Sequence, residues 1–182
     1  MALSPILRFL SWLVSIPARL RGVKFGRFSF LGPGYDFLRG QMSNIVLADD
    51  VLIDKNAWLQ THGKGSIHID THTYSGRSLT ISAAKSVCIG KGCLLSYNVS
   101  LIDHDHQFEP GLSPNNTKIG QAKEIIIGDN CFLGAHSFIL KGVRLGDNCI
   151  VAANSVVNRS FPANSMIAGS PAKLVKKKSN GK

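Results

Sequence analysis

The run Asp103-His104-Asp105-His106 is the densest cluster of titratable side chains in the sequence, and its natural chemistry is proton transfer. A neutral imidazole titrates near physiological pH and can take a proton from a hydroxyl or amine as that group attacks an electrophile. Asp103, Asp105 or the nearby Glu109 could orient such a ring, and residue types alone do not choose among them. The run opens a segment reaching Lys123 that carries Pro110, Gly111, Pro114, Asn115 and Asn116. A long insertion in a compact chain is usually functional or disordered.

A repeat must position these residues. Steps of six from Ile127 land on Leu133, Ile139, Leu145, Val151 and Val157, all aliphatic. The residue four beyond each aliphatic is small or compact: Cys131, Ser137, Val143, Cys149 and Ser155. The same frame holds Ile89, Leu95 and Leu101 with Cys93 and Val99, and Leu47, Ile53 and Leu59 with Val51 and Ala57. From Gly63 to Ala84 the frame is irregular, and only strand-like alternation is visible in Ile67-His68-Ile69 and Leu79-Thr80-Ile81. A period of six fits neither a helix nor a simple strand. It fits a short flat strand plus a tight corner, three of which make a triangular coil stacking at ~4.8 Å on the next. The stretch between Leu101 and Ile125 cannot be a coil.

The expected fold class is therefore mainly β, a parallel β-helix with a short N-terminal helix, a protruding loop and a basic C-terminal tail. The expected divisions are residues 1–25 for the helix, 26–165 for the β-helix with loop 103–124 inserted, and 166–182 for the tail. Aromatics make up only 8% of the 182 residues, which suits a narrow interior of small and branched side chains. The net charge of +10 fits a solvated basic surface, a phosphate-bearing ligand or an anionic membrane face. No nucleic-acid module is visible, so nucleic acid is not expected as a partner. Cys88, Cys93, Cys131 and Cys149 form no C-x-x-C pair and read as small buried hydrophobes in a reducing compartment.

Residues 3–21 are rich in Leu, Ile, Phe and Trp, but the uncharged run between Arg8 and Arg19 is too short to span a bilayer. No A-x-A cleavage site follows it. Ser4 and Pro5 read as N-cap and first helical residue. Arg8, Ser11, Ser15 and Arg19 form a narrow polar stripe, and the rest of the helix is apolar. Two readings stay open. The helix packs on its own domain or a neighbouring subunit, or it rests on the cytoplasmic membrane face helped by Arg19, Arg21 and Lys24.

The run Ile127-Gly-Asp-Asn, Leu133-Gly-Ala, Lys141-Gly-Val, Leu145-Gly-Asp-Asn and Ser155-Val-Val, ending in Ala168-Gly-Ser-Pro-Ala-Lys173, resembles the hexapeptide-repeat acetyltransferases. The sugar and polysaccharide O-acetyltransferase branch is the most similar, over about residues 45–176. The resemblance implies a left-handed parallel β-helix, a homotrimer with active sites between adjacent prisms, and acetyl-CoA as donor. It places the catalytic base on His106, with His104 as competitor. It assigns Ala135 and Ala153 to backbone contacts with the thioester and pantetheine, matches Asn158 and Arg159 to a Thr-Lys pair among the CoA-binding positions, and turns Lys173 and Lys176 to the nucleotide phosphates of CoA.

Three positions depart from the family. Phe132 replaces a frequent Trp, Gly76 replaces the substrate-binding Asn of the galactoside-type enzymes, and Ala84 replaces their Asp. The acceptor pocket is thus expected to differ, with Tyr74, Arg77, Asn98, Asp103 and His104 as its polar groups. The implied function is transfer of an acetyl group to a saccharide hydroxyl in surface polysaccharide or glycolipid biosynthesis, in the cytoplasm. N-acetylation of an amino sugar is the alternative, followed by a non-catalytic β-helix. Some solenoids of this fold bind zinc through three histidines. His62, His68, His72, His104, His106 and His136 are not expected to converge in that way, so no metal is expected.

Overall fold

The computed structural model describes residues 5–35, 42–108, 110, 111, 113 and 118–177, without the side chains of residues 5–11. Ser4, Glu109 and the tail lysines Lys178 and Lys182 lie outside the described residues. Helix α1 (Pro5–Leu20) leads into a first partial coil, β1 (Lys24–Phe25) and β2 (Phe30–Leu31). Five coils follow. They are β3 (Ile45–Leu47), β4 (Leu52–Ile53) and β5 (Trp58–Thr61); β6 (Ser66–Ile69), β7 (Tyr74–Ser75) and β8 (Thr80–Ala83); and β9 (Ser86–Ile89), β10 (Leu94–Leu95) and β11 (Ser100–Ile102). After the excursion β12 (His104–His106) and β13 (Ile119–Ala122) come β14 (Ile125–Ile127), β15 (Phe132–Leu133) and β16 (Phe138–Leu140). The last coil is β17 (Arg144–Leu145), β18 (Ile150–Val151) and β19 (Val156–Val157), and β20 (Ser165–Gly169) and β21 (Ala172–Lys177) close the chain.

Strands of successive coils pair in parallel to form three faces, in which only the terminal β20–β21 pair is antiparallel: β1-β3-β6-β9-β14-β17, β2-β4-β7-β10-β15-β18-β20-β21, and β5-β8-β11-β16-β19. We call these the first, second and third faces. The expected parallel β-helix of hexapeptide repeats is the fold that forms. Every aliphatic of the six-residue frame, from Leu47 to Val157, is at most 2% exposed. The small residues four positions on, Cys131, Ser137, Cys149 and Ser155 among them, are equally buried at the corners. Cys93, Cys131 and Cys149 stack in one corner column and donate Sγ–H to Gly128, Gly146 and Pro162 carbonyls of the next turn. Contact with Cys131 and burial push the Cys149 thiol well above its ordinary value, which keeps it protonated.

The frame also runs through the stretch that looked irregular. Ile69, Ser75 and Ile81 keep the six-step, with Thr73 and Leu79 at the small positions, and all five are buried. Polar Thr73 and Ser75 hide the pattern. Their hydroxyls are accommodated by carbonyls, Thr73 donating to Gly90 O at 2.9 Å and Ser75 to Gly76 O at 3.0 Å. Three residues beyond the inward residues of the first and second faces the backbone enters the left-handed region, as at Asp50, Asn56, Asn98, Asn130, Asn148 and Asn154. Asn and Asp tolerate that conformation, and Gly92 and Gly142 fill the same slot elsewhere.

The expected loop opens as an antiparallel hairpin, with β12 paired to β13 through His104–Ala122 and His106–Ile119. Lys123 N–H donates to Asp103 O at 2.8 Å and closes the hairpin base, so the chain rejoins the first face at Ile125.

Candidate active site

The hairpin base holds the titratable cluster. Asp103 follows β11, and its carboxylate is 0% exposed. It accepts N–H bonds from Ala84 and Lys85, both at 2.7 Å, and lies 2.9 Å from His104 Nδ1. A buried carboxylate persists only with such donors. The expectation that Asp103 and His104 line an acceptor pocket therefore needs correction. Asp103 is enclosed, the His104 side chain is 4% exposed, and together they brace the hairpin. His106, two residues on along the strand, is exposed. Its ring lies edge-on to His104 at 5.8 Å between centroids, and His104 lies edge-on to His62 at 5.1 Å. Asp105 is turned toward Lys141 of the next coil, in an ion pair. Among the described residues no group of three His, Cys, Asp or Glu side chains is arranged to hold a metal ion.

His62 completes this row, with Nε2 3.0 Å from Ser82 Oγ. Burial, and then the neighbouring His104 ring, hold its pKa below the ordinary 6.5. A histidine with a lowered folded pKa binds its proton more readily when unfolded. Its stabilising contribution is whole above the unfolded value and is lost as pH falls below it. The melting midpoint should therefore drop between about pH 7 and pH 5, and His62→Gln should flatten that drop. A pH-independent midpoint in the parent protein would refute this.

A second feature lies at the corner between the second and third faces. A groove of about 530 Å³ is lined by Tyr74, Arg77 and Asn98, three of the predicted acceptor residues. Leu94, Tyr97 and Phe132 add an apolar wall, and Asp54 faces Arg77 at 3.5 Å. Gly76 also lines the groove, and a Cβ there would meet Tyr97 N at 3.1 Å. The galactoside-type Asn at this position would thus crowd the turn. Sequence reasoning passed over Tyr97 and gave His136 no role in the site. His136 holds a left-handed turn slot at φ 58, its Nε2 lies 3.4 Å from Asn98 Nδ2, and its ring meets Tyr97 edge-on at 5.4 Å. The signal was available, since this slot otherwise favours Asn or Gly.

Backbone bonds align this corner into one column. Asn98 N–H donates to Arg77 O, His136 N–H to Tyr97 O and Asn154 N–H to Ala135 O. The turns of Ala135 and Ala153 therefore stack directly on the groove. Lys173 and Lys176 join the same side through an irregularity in β21. Three apart on a regular strand, they would point to opposite faces. The register slips between Met166 and Ile167, so Lys176 opposes Met166 and Lys173 opposes Ala168. Directly opposed residues share a face. Both lysines thus extend the outer side of the second face, and both are exposed.

Asn158 and Arg159 lie elsewhere. They follow β19 at the corner where the third face ends, with the Arg159 guanidinium 5.2 Å from the centre of the Phe161 ring. That corner also carries the His104–His106 hairpin. One corner of the prism thus holds Tyr74, Arg77, Asn98, Ala135 and Ala153, with Lys173 and Lys176 beside it. The other holds His106, Asn158 and Arg159. The third face separates them, six residues from Asn98 to His104, or roughly 20 Å of extended chain.

The family described as hexapeptide repeat of succinyl-transferase matches residues 124–159. The galactoside O-acetyltransferase of Escherichia coli K12 is 32% identical over 153 residues, covering 78% of this chain and 74% of that protein. A Dictyostelium discoideum relative is 41% identical over 111 residues, and the match spans 61% of this chain but only 57% of that protein. The solved polysialic acid O-acetyltransferase OatWY superposes with a TM-score of 0.63 at 32% identity, covering 82% of this chain and 74% of that one. A galactoside acetyltransferase solved in complex with coenzyme A shares the fold, with a TM-score of 0.62 at 21% identity over 97% of this chain and 84% of that one. The chain belongs to the hexapeptide-repeat acetyltransferase family.

Proposed function

We propose that this protein transfers an acetyl group from acetyl-CoA to a hydroxyl of a saccharide, at sites formed between neighbouring prisms of a homotrimer. The observation that carries this reading is the division of the site residues between two corners. An edge bearing His106, Asn158 and Arg159 complements an edge bearing the groove, the Ala135 and Ala153 turns and the two lysines. Two different edges that meet make a head-to-tail contact, which closes into a ring when the rotation permits. The column pointing outward from the second face supports burial against a neighbour. It reads Phe30, Leu52, Tyr74, Leu94, Phe132, Ile150 and Met166, apolar from end to end.

His106 accepts the proton of the acceptor hydroxyl as its oxygen attacks the thioester carbonyl carbon. The carbon–sulfur bond then breaks, and the imidazolium returns the proton to the departing CoA thiolate. Lys173, Lys176 and Arg159 offset the charge of the CoA phosphates. The Ala135 and Ala153 turns present backbone polar groups to the pantetheine arm. Tyr74, Tyr97 and Phe132 offer ring faces to a sugar, and Arg77, Asn98 and Asp54 offer hydrogen bonds to its hydroxyls. OatWY and the E. coli galactoside enzyme, as named, both act on saccharides by O-acetylation.

Subunit mixing tests the arrangement. His106→Ala and Arg77→Ala homo-oligomers should each release CoA thiol slowly in the presence of acceptor. Unfolded together in equal amounts and reassembled, they should recover about a quarter of parent turnover, the fraction of contacts pairing two intact edges. No recovery would place the whole site within one chain and overturn this reading.

A further inference from the structure

The side chains of helix α1 are described from Trp12 to Leu20, and over that stretch the small Ser15 and Ala18 face the core while Trp12, Leu13 and Leu20 face out. Ser15 and Ala18 are both 0% exposed, with Val14 packed beside them against the core. Tyr35 pins this side, its hydroxyl donating to Val14 O at 2.9 Å and accepting the Ala18 N–H at 3.1 Å. On the opposite arc lie Trp12, 51% exposed, Leu13, 41%, and Leu20, 83%, with half-buried Ile16 between them. These four fall within about 100° of helix circumference at 3.6 residues per turn. Of the polar stripe seen in the sequence, the described members Ser15 and Arg19 turn away from water. Ser15 is buried, and the Arg19 guanidinium stacks 4.3 Å from the centre of the Phe25 ring. The helix packs on its own domain and still presents an apolar arc outward.

A second observation lies in the first coil, at the same end of the prism. The corner slot that Asp50, His72, Asn130 and Asn148 fill in other coils holds Phe28, at φ 59 and 57% exposed. A bulky side chain is disfavoured in that conformation, and here it points an aromatic ring into solvent. Charge supplies the third. No acidic residue precedes Asp36, whereas Arg8, Arg19, Arg21, Lys24 and Arg27 are all basic. Arg21 and Lys24 are exposed beside the apolar arc. Arg27 is paired with Asp49, and Asp50 holds the next corner slot beside Phe28, so the excess of positive charge comes from Arg21 and Lys24. Aromatic and aliphatic side chains beside such an excess fit the interface of an anionic bilayer. No helix among the described residues is long and apolar enough to cross one.

We infer that the N-terminal end of the prism docks on an anionic lipid surface, seating Trp12, Leu13, Leu20 and Phe28 among the headgroups while Arg21 and Lys24 meet lipid phosphates. The full-length protein should co-sediment with phosphatidylcholine vesicles containing about one-third phosphatidylglycerol and much less with phosphatidylcholine alone. Trp12→Glu with Leu20→Glu should weaken binding to the anionic vesicles by about tenfold or more. Arg21→Gln with Lys24→Gln should weaken it by roughly 30-fold and leave the weak binding to neutral vesicles unchanged. The melting midpoint and oligomer mass of each variant are measured alongside, so that a loss of vesicle binding is read only on folded protein, and the readout is independent of any transfer activity. Equal sedimentation of the parent with both vesicles or with neither, or undiminished binding of Trp12→Glu/Leu20→Glu, would overturn the inference. So would a fall in oligomer mass in that variant with no vesicle binding by the parent, which would mark the arc as a contact between copies.

Discussion

His106→Ala should lower acceptor-dependent release of CoA thiol by about a hundred- to ten-thousand-fold, the usual contribution of a positioned general base. His106 is exposed on β12, so the variant should keep the parent melting midpoint, and the loss should fall on turnover. His104→Ala provides the contrast. The His104 ring is enclosed between Asp103, His62 and His106, and its removal opens a cavity at the hairpin base. Its main effect should be a lower midpoint with a smaller loss of turnover per folded molecule. The reverse ranking, with His104→Ala inactive at full stability and His106→Ala active, would transfer the base to His104. Measuring thiol release and thermal melting on the same preparations separates these outcomes.

Asp103→Ala should be among the most destabilising single substitutions in the chain, at about 3–5 kcal/mol. The carboxylate joins two elements, the Ala84–Lys85 turn before β9 and the His104 ring, while the backbone carbonyl of the same residue, which alanine keeps, accepts the Lys123 N–H that closes the hairpin. Alanine leaves two N–H groups and a ring nitrogen without their acceptor in a dry site. For a chain of this size that corresponds to a midpoint lowered by roughly 6–20 °C. Asp103→Asn keeps an acceptor for one N–H but turns an amide N–H₂ toward another donor, so it should fall between parent and alanine. A change of less than about 1 kcal/mol in the alanine variant would mean the turn finds other acceptors, and the bracing role would be lost. The Ala84 position shows the family departure in physical terms. With no carboxylate of its own, this turn is held by the carboxylate at 103.

The regular coils were legible because a solenoid repeats one physical problem. Each short strand must bury one aliphatic, and each corner must fit one small residue, so Ile127 to Val157 announce the frame without help. Thr73 and Ser75 broke the apolar signal, because a buried hydroxyl with a carbonyl within reach substitutes for an aliphatic at little cost. The irregularity of β21 was likewise invisible. Nothing in Lys173-Leu174-Val175-Lys176 states that pairing with β20 will slip and bring two lysines to one face. Tyr97 and His136 were passed over for a related reason, since corner residues became neighbours only when consecutive coils stacked.

The sequence alone determined the period, the inward residues, the place where the repeat is interrupted, and the imidazole-rich chemistry at that interruption. These follow from local constraints: side-chain size at a crowded corner, alternation along a strand, and the cost of burying charge. Tertiary structure decided which of two adjacent histidines reaches the surface and that Asp103 braces rather than binds. It also decided that the candidate site falls on two separate edges, and that between Trp12 and Leu20 the helix turns Ser15 and Ala18 inward and Trp12, Leu13 and Leu20 out. Each of these depends on which coil stacks on which, a relation between residues distant in sequence that no local pattern encodes.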